Sequence, residues 1–438
     1  MVLPTKNGTK SYWIEEANSP LRDYQSSESL PTETDVLIIG SGYTGASAAY
    51  FLYRCTKDFG TTPKILMLEA QDICGSATGR NGGQLRPYAY SRYLPWKALH
   101  GPKGAIDLIK HEMAHLPAFD DLLTAASKEP KMSNIKEEVY FQTGPTFDAA
   151  MSEEAWSRLK SNYEEIVKNH PDEEIVKELR IVEGAKEAEE FTQIKGAIGA
   201  VVHPAGQIWP YKFIHALLTI LLNANALSLH AHTPVTHVSS RSPSGWITVT
   251  TPRGTILTKT VIHATNAWTN HLLPDFGNLI YPSLATVAAL KPHNQDFRLR
   301  NTGAQHWDVI VNDYQVQLPP PNPTIIVGGA KKVLVHVPSR WINNVDTSSN
   351  IRGVPEYYQS WASSSIIGLE SQPKVLAREA EDGGCWVGVV GISADSFPFI
   401  GEHPEKEGHF IAAGFTGHGI LPSSFPSPSP QLNVFNIK

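Results

Sequence analysis

Cysteine is scarce in this sequence, which has only Cys55, Cys74 and Cys385 in 438 residues. Their spacing excludes a disulfide framework and a Cys-x-x-Cys metal site, and it suits a reducing compartment. The spacing of the seventeen histidines does not commit to a metal either, so we predict no metal site.

Long apolar runs and an excess of one charge are also missing. No apolar stretch reaches the ~18 residues of a membrane-spanning helix, and the polar N-terminus lacks the apolar centre of a signal peptide. The 37 Lys+Arg against 43 Asp+Glu give a net charge of −6, which indicates no nucleic-acid partner. We therefore expect a soluble cytoplasmic protein without a membrane span. The unusual C-terminus leaves a peroxisomal location open.

The clearest motif lies in residues 35–69. An apolar run at 36–39 leads into the glycine turn at 40–45, and a second apolar run at 65–68 ends at Glu69. Short apolar runs of this kind predict strands of a parallel sheet that is covered on both faces. The segment predicts the strand–turn–helix–strand unit of a dinucleotide-binding domain, with either NAD or FAD as its ligand.

Each of the three motif positions in the turn requires glycine for a different physical reason. Gly40 permits the tight turn, Gly42 lets a pyrophosphate approach the backbone, and Gly45 lets the helix pack on the strand. The helix begins near Tyr43, and its positive end favours phosphate. Glu69 ends the second strand, where its carboxylate can accept the hydroxyls of an adenosine ribose.

Hydrophobic periodicity predicts the remaining elements. Helices are predicted at 105–126, 152–169, 173–191 and 210–223, and strands at 197–203, 231–239, 246–251, 255–264, 283–290, 324–327, 386–392 and 409–413. The first 34 residues predict an extended arm that lies on the body, because Trp13 would not stay in water. A chain of this length is expected to form two domains.

Four separated stretches resemble the D-amino-acid-oxidase-like family of FAD-dependent amine oxidoreductases, which includes sarcosine, glycine and gamma-glutamylputrescine oxidases. They are residues 40–45 with Glu69, the loop 78–84, the segment 264–268, and residues 414–419 preceded by 395–401. The resemblance covers residues 35–419 in order, and the loop with Arg-Asn-Gly-Gly is its most specific part. It implies FAD rather than NAD, and we expect the FAD to be bound non-covalently.

The resemblance also implies a fold and a division into domains. The fold class is α/β, with a Rossmann-like, glutathione-reductase-like FAD/NAD(P)-binding domain and a second α+β substrate domain on a largely antiparallel sheet. An arm at 1–34 would precede a discontinuous FAD-binding domain at 35–95, 196–275 and 380–438. The substrate domain, with a helical insertion, would take 96–195 and 276–379.

The motif and the resemblance together define a set of predicted FAD-binding residues. Val235 matches a family strand whose backbone holds the adenine, and Trp268 has core filling as its alternative reading. The glycine loop offers backbone amides to the pyrophosphate and the flavin edge, with a plain surface turn as the alternative. The set is Gly40, Gly42, Tyr43, Thr44, Gly45, Glu69, Ala70, Thr78, Gly79, Arg80, Asn81, Gly82, Gly83, Gln84, Leu85, Val235, Ala264, Trp268, Gly414, Thr416, Gly417, His418 and Gly419.

His418 and Arg86 are the predicted catalytic residues. In an oxidase of this family a hydride leaves the carbon beside the amine nitrogen for flavin N5, and negative charge develops at N1 and the C2 carbonyl. A helix N-terminus at 417–419 would stabilise that charge. His418 either lies near the flavin edge or caps the turn. Arg86 either binds a substrate carboxylate or forms a structural salt bridge.

Several aromatic residues and one cysteine have two readings each. Trp386, Tyr88 and Tyr90 either form a wall around a cationic amine or pack in the core. Cys385 occupies the stretch through which some relatives attach flavin, and an ordinary buried thiol is the alternative.

The chain departs from the family pattern after residue 419. Relatives continue into a long helix, whereas residues 420–430 contain Pro422, Pro426, Pro428 and Pro430. Proline removes a donor and clashes with the preceding turn, so a long helix is not expected there and its dipole at the flavin is weakened.

The function predicted from these observations is oxidation of the C–N bond of a small amine or amino acid by an FAD-dependent oxidoreductase. Oxygen or another electron acceptor is the expected second partner, and the oxidase form would release hydrogen peroxide. The alternatives are a nicotinamide-dependent dehydrogenase and an inactive or unstable flavoprotein-fold binding protein that results from the altered tail.

Overall fold

The computed structural model describes residues 3–5, 7–57, 60, 62–371, 374–375 and 384–418. Its strands, in chain order, are β1 (Glu33–Ile39), β2 (Ile65–Leu68), β3 (Gln84–Leu85), β4 (Gln142–Ala150), β5 (Arg180–Glu183), β6 (Gly199–Gln207), β7 (Leu227–His230), β8 (His237–Val238), β9 (Ile247–Thr251), β10 (Gly254–His263), β11 (Ile280–Lys291), β12 (Thr302–His306), β13 (Asn312–Gln317), β14 (Ile325–Gly328), β15 (Lys374–Val375), β16 (Cys385–Ser393), β17 (Phe399–Glu402) and β18 (His409–Ala413).

Helices connect these strands, and several short 3₁₀ helices lie in the loops. The α-helices are α1 (Tyr12–Ala17), α2 (Tyr43–Thr56), α3 (Tyr93–Met113), α4 (His115–Ala126), α5 (Ile135–Glu138), α6 (Glu153–Asn169), α7 (Glu174–Lys177), α8 (Ala185–Thr192), α9 (Pro210–Asn223), α10 (Thr269–Leu272), α11 (Lys331–Leu334) and α12 (Val354–Ser365). The 3₁₀ helices are Ala77–Arg80, Asn266–Trp268, Pro274–Phe276 and Pro338–Arg340.

The first sheet is a parallel sheet with an antiparallel edge. Its order is β17-β18-β10-β1-β2-β7, and β9 and β8 extend it from β10. The pairs from β18 to β7 are parallel, and all four residues of β2 are buried. Helix α2 connects β1 to β2 and packs against α9, so one face of the sheet is covered by helices. The predicted α/β fold with a Rossmann-like domain is confirmed.

The second sheet is almost entirely antiparallel. Its order is β15-β11-β14-β13-β12-β4-β6-β3, with β16 paired to β11 and β5 paired to β6. The pair of β4 with β12 is parallel. The predicted antiparallel second sheet is therefore confirmed. The sequence analysis assigned residues 199–207 and 385–393 to the FAD-binding segments, whereas β6 and β16 hydrogen-bond within the second sheet.

The N-terminal segment contains helix α1, so the prediction of an extended arm was wrong over Tyr12–Ala17. The expectation that Trp13 is covered was right, because its side chain is 0 % exposed. Its ring meets that of Trp209 edge to face, with the centroids 5.2 Å apart. Burial of two indoles anchors this segment to the body.

Other sequence predictions were wrong where hydrogen bonding between strands or the backbone conformation differed from what the local sequence pattern indicates. The helix predicted at 173–191 is divided into α7, β5 and α8, because β5 pairs with β6 and Gly184 adopts a φ of 91°. Strand β4 was missed, because Gly144-Pro145 is typical of a turn; here Pro145 lies opposite Pro204 in the ladder. The strand predicted at 231–239 is reduced to β8, since His232 adopts a φ of 52°.

Helix length and hydropathy also bear on the membrane. Within the described part of the chain, no helix is both long and apolar enough to span a bilayer.

Candidate active site

A cavity of about 680 Å³ lies between the carboxyl ends of β1 and β2 and one face of the second sheet. Most of the predicted FAD-binding residues and both predicted catalytic residues line this cavity. Gly45, Gly79, Leu85 and Gly414 stand behind its wall, and Gly419 and the proline-rich tail lie outside the described residues. The turn after β1 and residues 416–418 therefore share one cavity, although they are far apart in sequence.

The turn after β1 is packed so closely that two of its glycines have no room for a side chain. A Cβ on Gly45 would lie 1.9 Å from the carbonyl oxygen of Gly40, and one on Gly40 would lie 2.5 Å from the carbonyl oxygen of Ala264. Gly40 also adopts a φ of 108°. At the start of α2, the backbone N–H of Tyr43 donates to Oγ1 of Thr78 at 3.1 Å. The packing reasons predicted for Gly40 and Gly45 agree with this geometry.

Glu69 braces the same turn from the end of β2. Its Oε2 accepts hydrogen bonds from the backbone N–H of Ser41 at 3.0 Å and from the Ser41 hydroxyl at 2.7 Å. Its Oε1 accepts from the backbone N–H of Gln71 at 3.0 Å. Oε2 thus uses both of its lone pairs and Oε1 uses one, so Oε1 can still accept a ribose hydroxyl from the cavity.

The loop 80–84 is held by residues that are distant in sequence. The Arg80 side chain donates to the carbonyl oxygens of Gly75 at 2.8 Å, Thr9 at 2.6 Å and Val387 at 3.2 Å. Within the loop, Oδ1 of Asn81 accepts from the backbone N–H of Gly83 at 2.8 Å. The guanidinium thus acts as a clamp on three backbone segments, and the loop presents its backbone to the cavity.

Tyr314 was missed by the sequence analysis, although it determines why residue 82 is glycine. A Cβ on Gly82 would lie 2.2 Å from the Tyr314 ring, and one on Gly328 would lie 2.1 Å from its hydroxyl oxygen. The ring therefore joins the loop to β14 of the second sheet. Burial raises the pKa of Tyr314, so the hydroxyl stays protonated.

The turn at 414–418 is docked on β16 and on the segment after β10. The backbone N–H of Gly414 donates to Oδ1 of Asn266 at 3.0 Å, and that of Thr416 donates to the Gly391 carbonyl oxygen at 2.8 Å. Gly417 adopts a φ of 81°. The predicted helix start at 417–419 falls partly outside the described residues. The described part of this stretch forms a turn.

His418 lies on the cavity wall beside a carboxylate that the sequence analysis did not single out. Its ring stacks on Tyr88 with centroids 3.9 Å apart, and its Nε2 lies 3.2 Å from Oε2 of Glu112. The same Oε2 accepts from the backbone N–H of Tyr88 at 2.6 Å. Burial pushes the pKa of Glu112 upward, but the nearby His418 and these hydrogen bonds outweigh it, and the pKa falls below its ordinary value.

Arg86 forms the structural salt bridge that was one of its two readings. Its Nη2 donates to Oδ1 of Asp148 at 2.7 Å and to the Phe147 carbonyl oxygen at 2.8 Å. Asp148 also accepts from the Tyr90 hydroxyl at 2.9 Å and bonds to His306. Burial opposes ionisation of Asp148, yet Arg86 and His306 hold its pKa well below the ordinary range. The arginine is therefore neutralised within the wall of the cavity.

Lys331 is a further cation on the wall that the sequence analysis missed. Its Nζ lies 3.7 Å from the centre of the Trp341 ring, and Trp341 also lines the cavity. Burial lowers the pKa of Lys331 to about 8. No sequence motif marks this residue, which lies three residues after the end of β14.

The remaining candidates mostly support the wall from behind. Trp386 is buried and donates from Nε1 to the Arg80 carbonyl oxygen at 2.8 Å. The Tyr90 hydroxyl donates a hydrogen bond to Asp148. Tyr88 lines the cavity. Cys385 is buried in β16 and does not line the cavity, which agrees with an ordinary buried thiol.

Comparison with known proteins shows the family. The sequence profile described as "DAO: FAD dependent oxidoreductase" matches residues 35–425. The chain therefore belongs to the DAO family of FAD-dependent oxidoreductases, and FAD is its cofactor. The closely packed glycine turn at the start of α2, the Glu69 carboxylate and the cavity of about 680 Å³ fit this group, with the residues of 40–45 and 78–84 placed to hold it.

Individual relatives agree with this class. A glycine oxidase from Bacillus licheniformis is 27 % identical over 192 residues, so the match spans 43 % of this chain and 44 % of that protein. A solved glycine oxidase from Geobacillus kaustophilus superposes with a TM-score of 0.69 at 20 % identity, covering 90 % of this chain and 92 % of that one. An iminodiacetate oxidase from Chelativorans sp. BNC1 superposes with a TM-score of 0.66 at 18 % identity, covering 90 % and 97 %.

Proposed function

We propose that this protein oxidises the C–N bond of a small amine or amino acid and transfers the electrons to oxygen. The observation that carries the proposal is the shared cavity: the glycine turn, the loop 80–84 and residues 416–418 line it together with one face of the second sheet. The names of the similar proteins, glycine oxidase and iminodiacetate oxidase, support this substrate class.

The two sheets suggest a division of labour. We assign FAD binding to the first sheet with its turns, and substrate binding to the second sheet with α3, since His418 and Glu112 meet at their junction. Bound at this site, FAD would supply a hydride acceptor for the carbon beside the amine nitrogen, so that the substrate would leave as an imine and oxygen would take up the two electrons as hydrogen peroxide. An intracellular location remains a prediction that rests on three cysteines without a disulfide.

The residues of this chain would contribute binding, orientation and charge. The wall formed by Tyr88, Tyr314 and Trp341 would exclude water from the reacting carbon. His418, held by Glu112, places a histidine ring at the cavity, where it would stabilise the negative charge that FAD gains with the hydride. Arg86 and Asp148 would keep that wall in position.

The test is reconstitution followed by an amine panel. Purified protein loaded with FAD is expected to show the visible absorbance of bound flavin and to release peroxide with at least one small amine or amino acid. Bleaching of the flavin by substrate without oxygen separates the reductive step from the choice of acceptor. A flavin-loaded protein that no amine bleaches would refute the proposal.

A matched pair of glycine variants controls for the cofactor site. Gly42→Val adds a side chain whose Cβ meets Thr78 Oγ1 at 3.0 Å, whereas Gly144→Val meets nothing within 4 Å. The first variant is expected to lose flavin, and the second is expected to retain it.

A further inference from the structure

Among the described residues, three permanently charged or strongly basic side chains line the cavity, and their partners differ. Arg80 donates to backbone carbonyls, and Arg86 is paired with Asp148 at 2.7 Å. Lys331 has no carboxylate within salt-bridge distance among the described residues. Among the three, it is therefore the cation that has neither a carbonyl acceptor nor a carboxylate partner in the described part of the chain.

Burial of this ammonium group has a cost that the protein compensates only in part. Water is mostly removed from Lys331, which is why its pKa falls to about 8. The face of the Trp341 ring, 3.7 Å from Nζ, offers a cation–π contact, and its Nε1 is fixed by donation to the Leu334 carbonyl oxygen at 2.8 Å. A cation–π contact supplies no counter-charge, so an anion from outside would complete the site.

The backbone that carries Lys331 is held rigidly. The backbone N–H of Ala330 donates to Oδ1 of buried Asp313 at 2.7 Å, and Oδ2 of the same residue accepts from Trp361 Nε1 at 3.0 Å. Ala330 adopts a φ of 51°, an unfavourable conformation for this residue. Such support keeps the lysine on the wall before any ligand arrives, which lowers the entropic cost of binding.

Lys331 follows the strand β14, which Tyr314 joins to the glycine loop. Tyr314 touches both Gly82 and Gly328, and Lys331 follows Gly328 by three residues, a reach of at most about 11 Å. A ligand held by Lys331 would share the cavity with the loop 80–84, where we propose that the reaction takes place.

We propose that Lys331 is the specificity-determining cation of this cavity and that it binds a carboxylate carried by the amine substrate. The substrate class narrows to amino acids and other carboxylated amines. Arg86, the residue that the sequence favoured for this role, is already neutralised by Asp148. The turnover part of this inference rests on the proposed function, whereas carboxylate binding does not.

The neighbouring Lys332 offers a matched control. Its Nζ also lies 3.7 Å from a tryptophan ring, that of Trp307, but Lys332 is exposed and does not line the cavity. Lys331→Met and Lys332→Met therefore remove the same charge and a similar cation–π contact, and they differ in access to the cavity.

The first experiment measures acetate binding to the FAD-loaded protein by calorimetry and by perturbation of the flavin spectrum. Lys331→Met is expected to weaken acetate binding about ten- to hundredfold, Lys331→Arg less, and Lys332→Met not measurably. Equal acetate affinity in the wild type and in Lys331→Met would overturn the proposal, as would an equal loss in both methionine variants.

The second experiment compares kcat/KM for glycine and for methylamine, which differ by the carboxylate. Lys331→Met is expected to lower the ratio of glycine to methylamine turnover at least about tenfold, whereas Lys332→Met leaves it unchanged. An unchanged ratio in Lys331→Met would contradict the assignment. If neither compound nor any other amine were oxidised while acetate binding still depended on Lys331, the proposed function would fail and the anion site would stand.

Discussion

Nη2 of Arg86 and Oδ1 of Asp148 lie 2.7 Å apart in the wall of the cavity, with side chains that are 15 % and 6 % exposed. The pair joins the strand after the glycine loop to the strand that precedes α6. Charges this deeply buried are tolerated because each has its partner and further hydrogen bonds.

Removal of the carboxylate should therefore be costly. Asp148→Asn leaves a buried guanidinium without its counter-charge and is expected to lower the free energy of unfolding by about 3 kcal/mol. Asp107, which is 55 % exposed and pairs with Lys103 at the same 2.7 Å, provides the control. Asp107→Asn is expected to change the stability by less than about 0.5 kcal/mol in thermal or urea denaturation. Equal effects of the two substitutions would contradict this account of the cluster.

Substitution by alanine should have very different effects at Gly45, in the turn after β1, and at Gly144, in β4. Gly45→Ala places a methyl group 1.9 Å from the carbonyl oxygen of Gly40, a backbone atom that cannot move without opening the turn. We expect strongly reduced yield of folded protein and loss of flavin. Gly144→Ala, with nothing within 4 Å, is expected to fold and to retain flavin as the wild type does. The ratio of flavin to protein absorbance after purification measures the outcome.

Acid sensitivity should arise from a buried histidine pair between β10 and β18. Nε2 of His263 lies 3.1 Å from Nδ1 of His409, and burial lowers their pKa values from 6.5 to about 3 and about 4. Below pH 6.5 the unfolded chain binds protons that the folded chain does not, so stability is lost as the pH falls toward 4. His409→Gln is expected to reduce the difference between urea midpoints at pH 7 and pH 5. An unchanged difference would exclude this pair as a cause.

We expect the charge of Lys331 to lower the stability of the folded protein, although the same charge binds the ligand. Its pKa is about 8 in the folded chain against 10.5 as the ordinary value, so the folded state is penalised whenever the lysine is charged. Lys331→Met is expected to gain about 1–3 kcal/mol at pH 7, and this gain should shrink between pH 8 and 10.5. Thermal midpoints across this range test it. Destabilisation by Lys331→Met at pH 7 would assign the lysine a purely structural role.

The same titration should appear in ligand binding. Above pH 8 the wild type is expected to lose affinity for acetate by about tenfold per pH unit, because neutral lysine has no charge to offer. Asp313 and Lys332 are the charged groups nearest along the chain. The Asp313 carboxylate is hydrogen-bonded to Ala330, Tyr357 and Trp361 and offers no positive charge to acetate. Lys332 is exposed, so it does not replace the positive charge of Lys331 in the cavity. Affinity that stays constant from pH 7 to pH 9.5 would speak against Lys331 as the anion site.

The sequence was sufficient to predict the elements that depend on interactions between residues close together in the chain. The unit from β1 through α2 to β2 follows from apolar runs and glycines that meet backbone atoms within a few residues. Helix α9, Pro210–Asn223, was predicted at its exact bounds because proline marks its first turn. In contrast, β4 was missed because its Gly144-Pro145 is stabilised only by partners in β6.

The residues missed in the site depend on contacts between distant segments. Asp148 gains its role from Arg86 and His306, and Glu112 from His418, pairs separated by 62, 158 and 306 positions. Lys331 differs from the exposed Lys332 only by the direction that the backbone after β14 gives it. Periodicity and short motifs carry no information on such pairings.

The clamp on Arg80 has a consequence for biosynthesis. Its side chain binds the carbonyl oxygens of Thr9 and Val387, and the Thr9 hydroxyl accepts from the backbone N–H of Val387 at 3.0 Å. The chain must therefore be synthesised beyond Val387 before this loop can close. Flavin capture is expected to wait for that segment, although β1, α2 and β2 are synthesised much earlier.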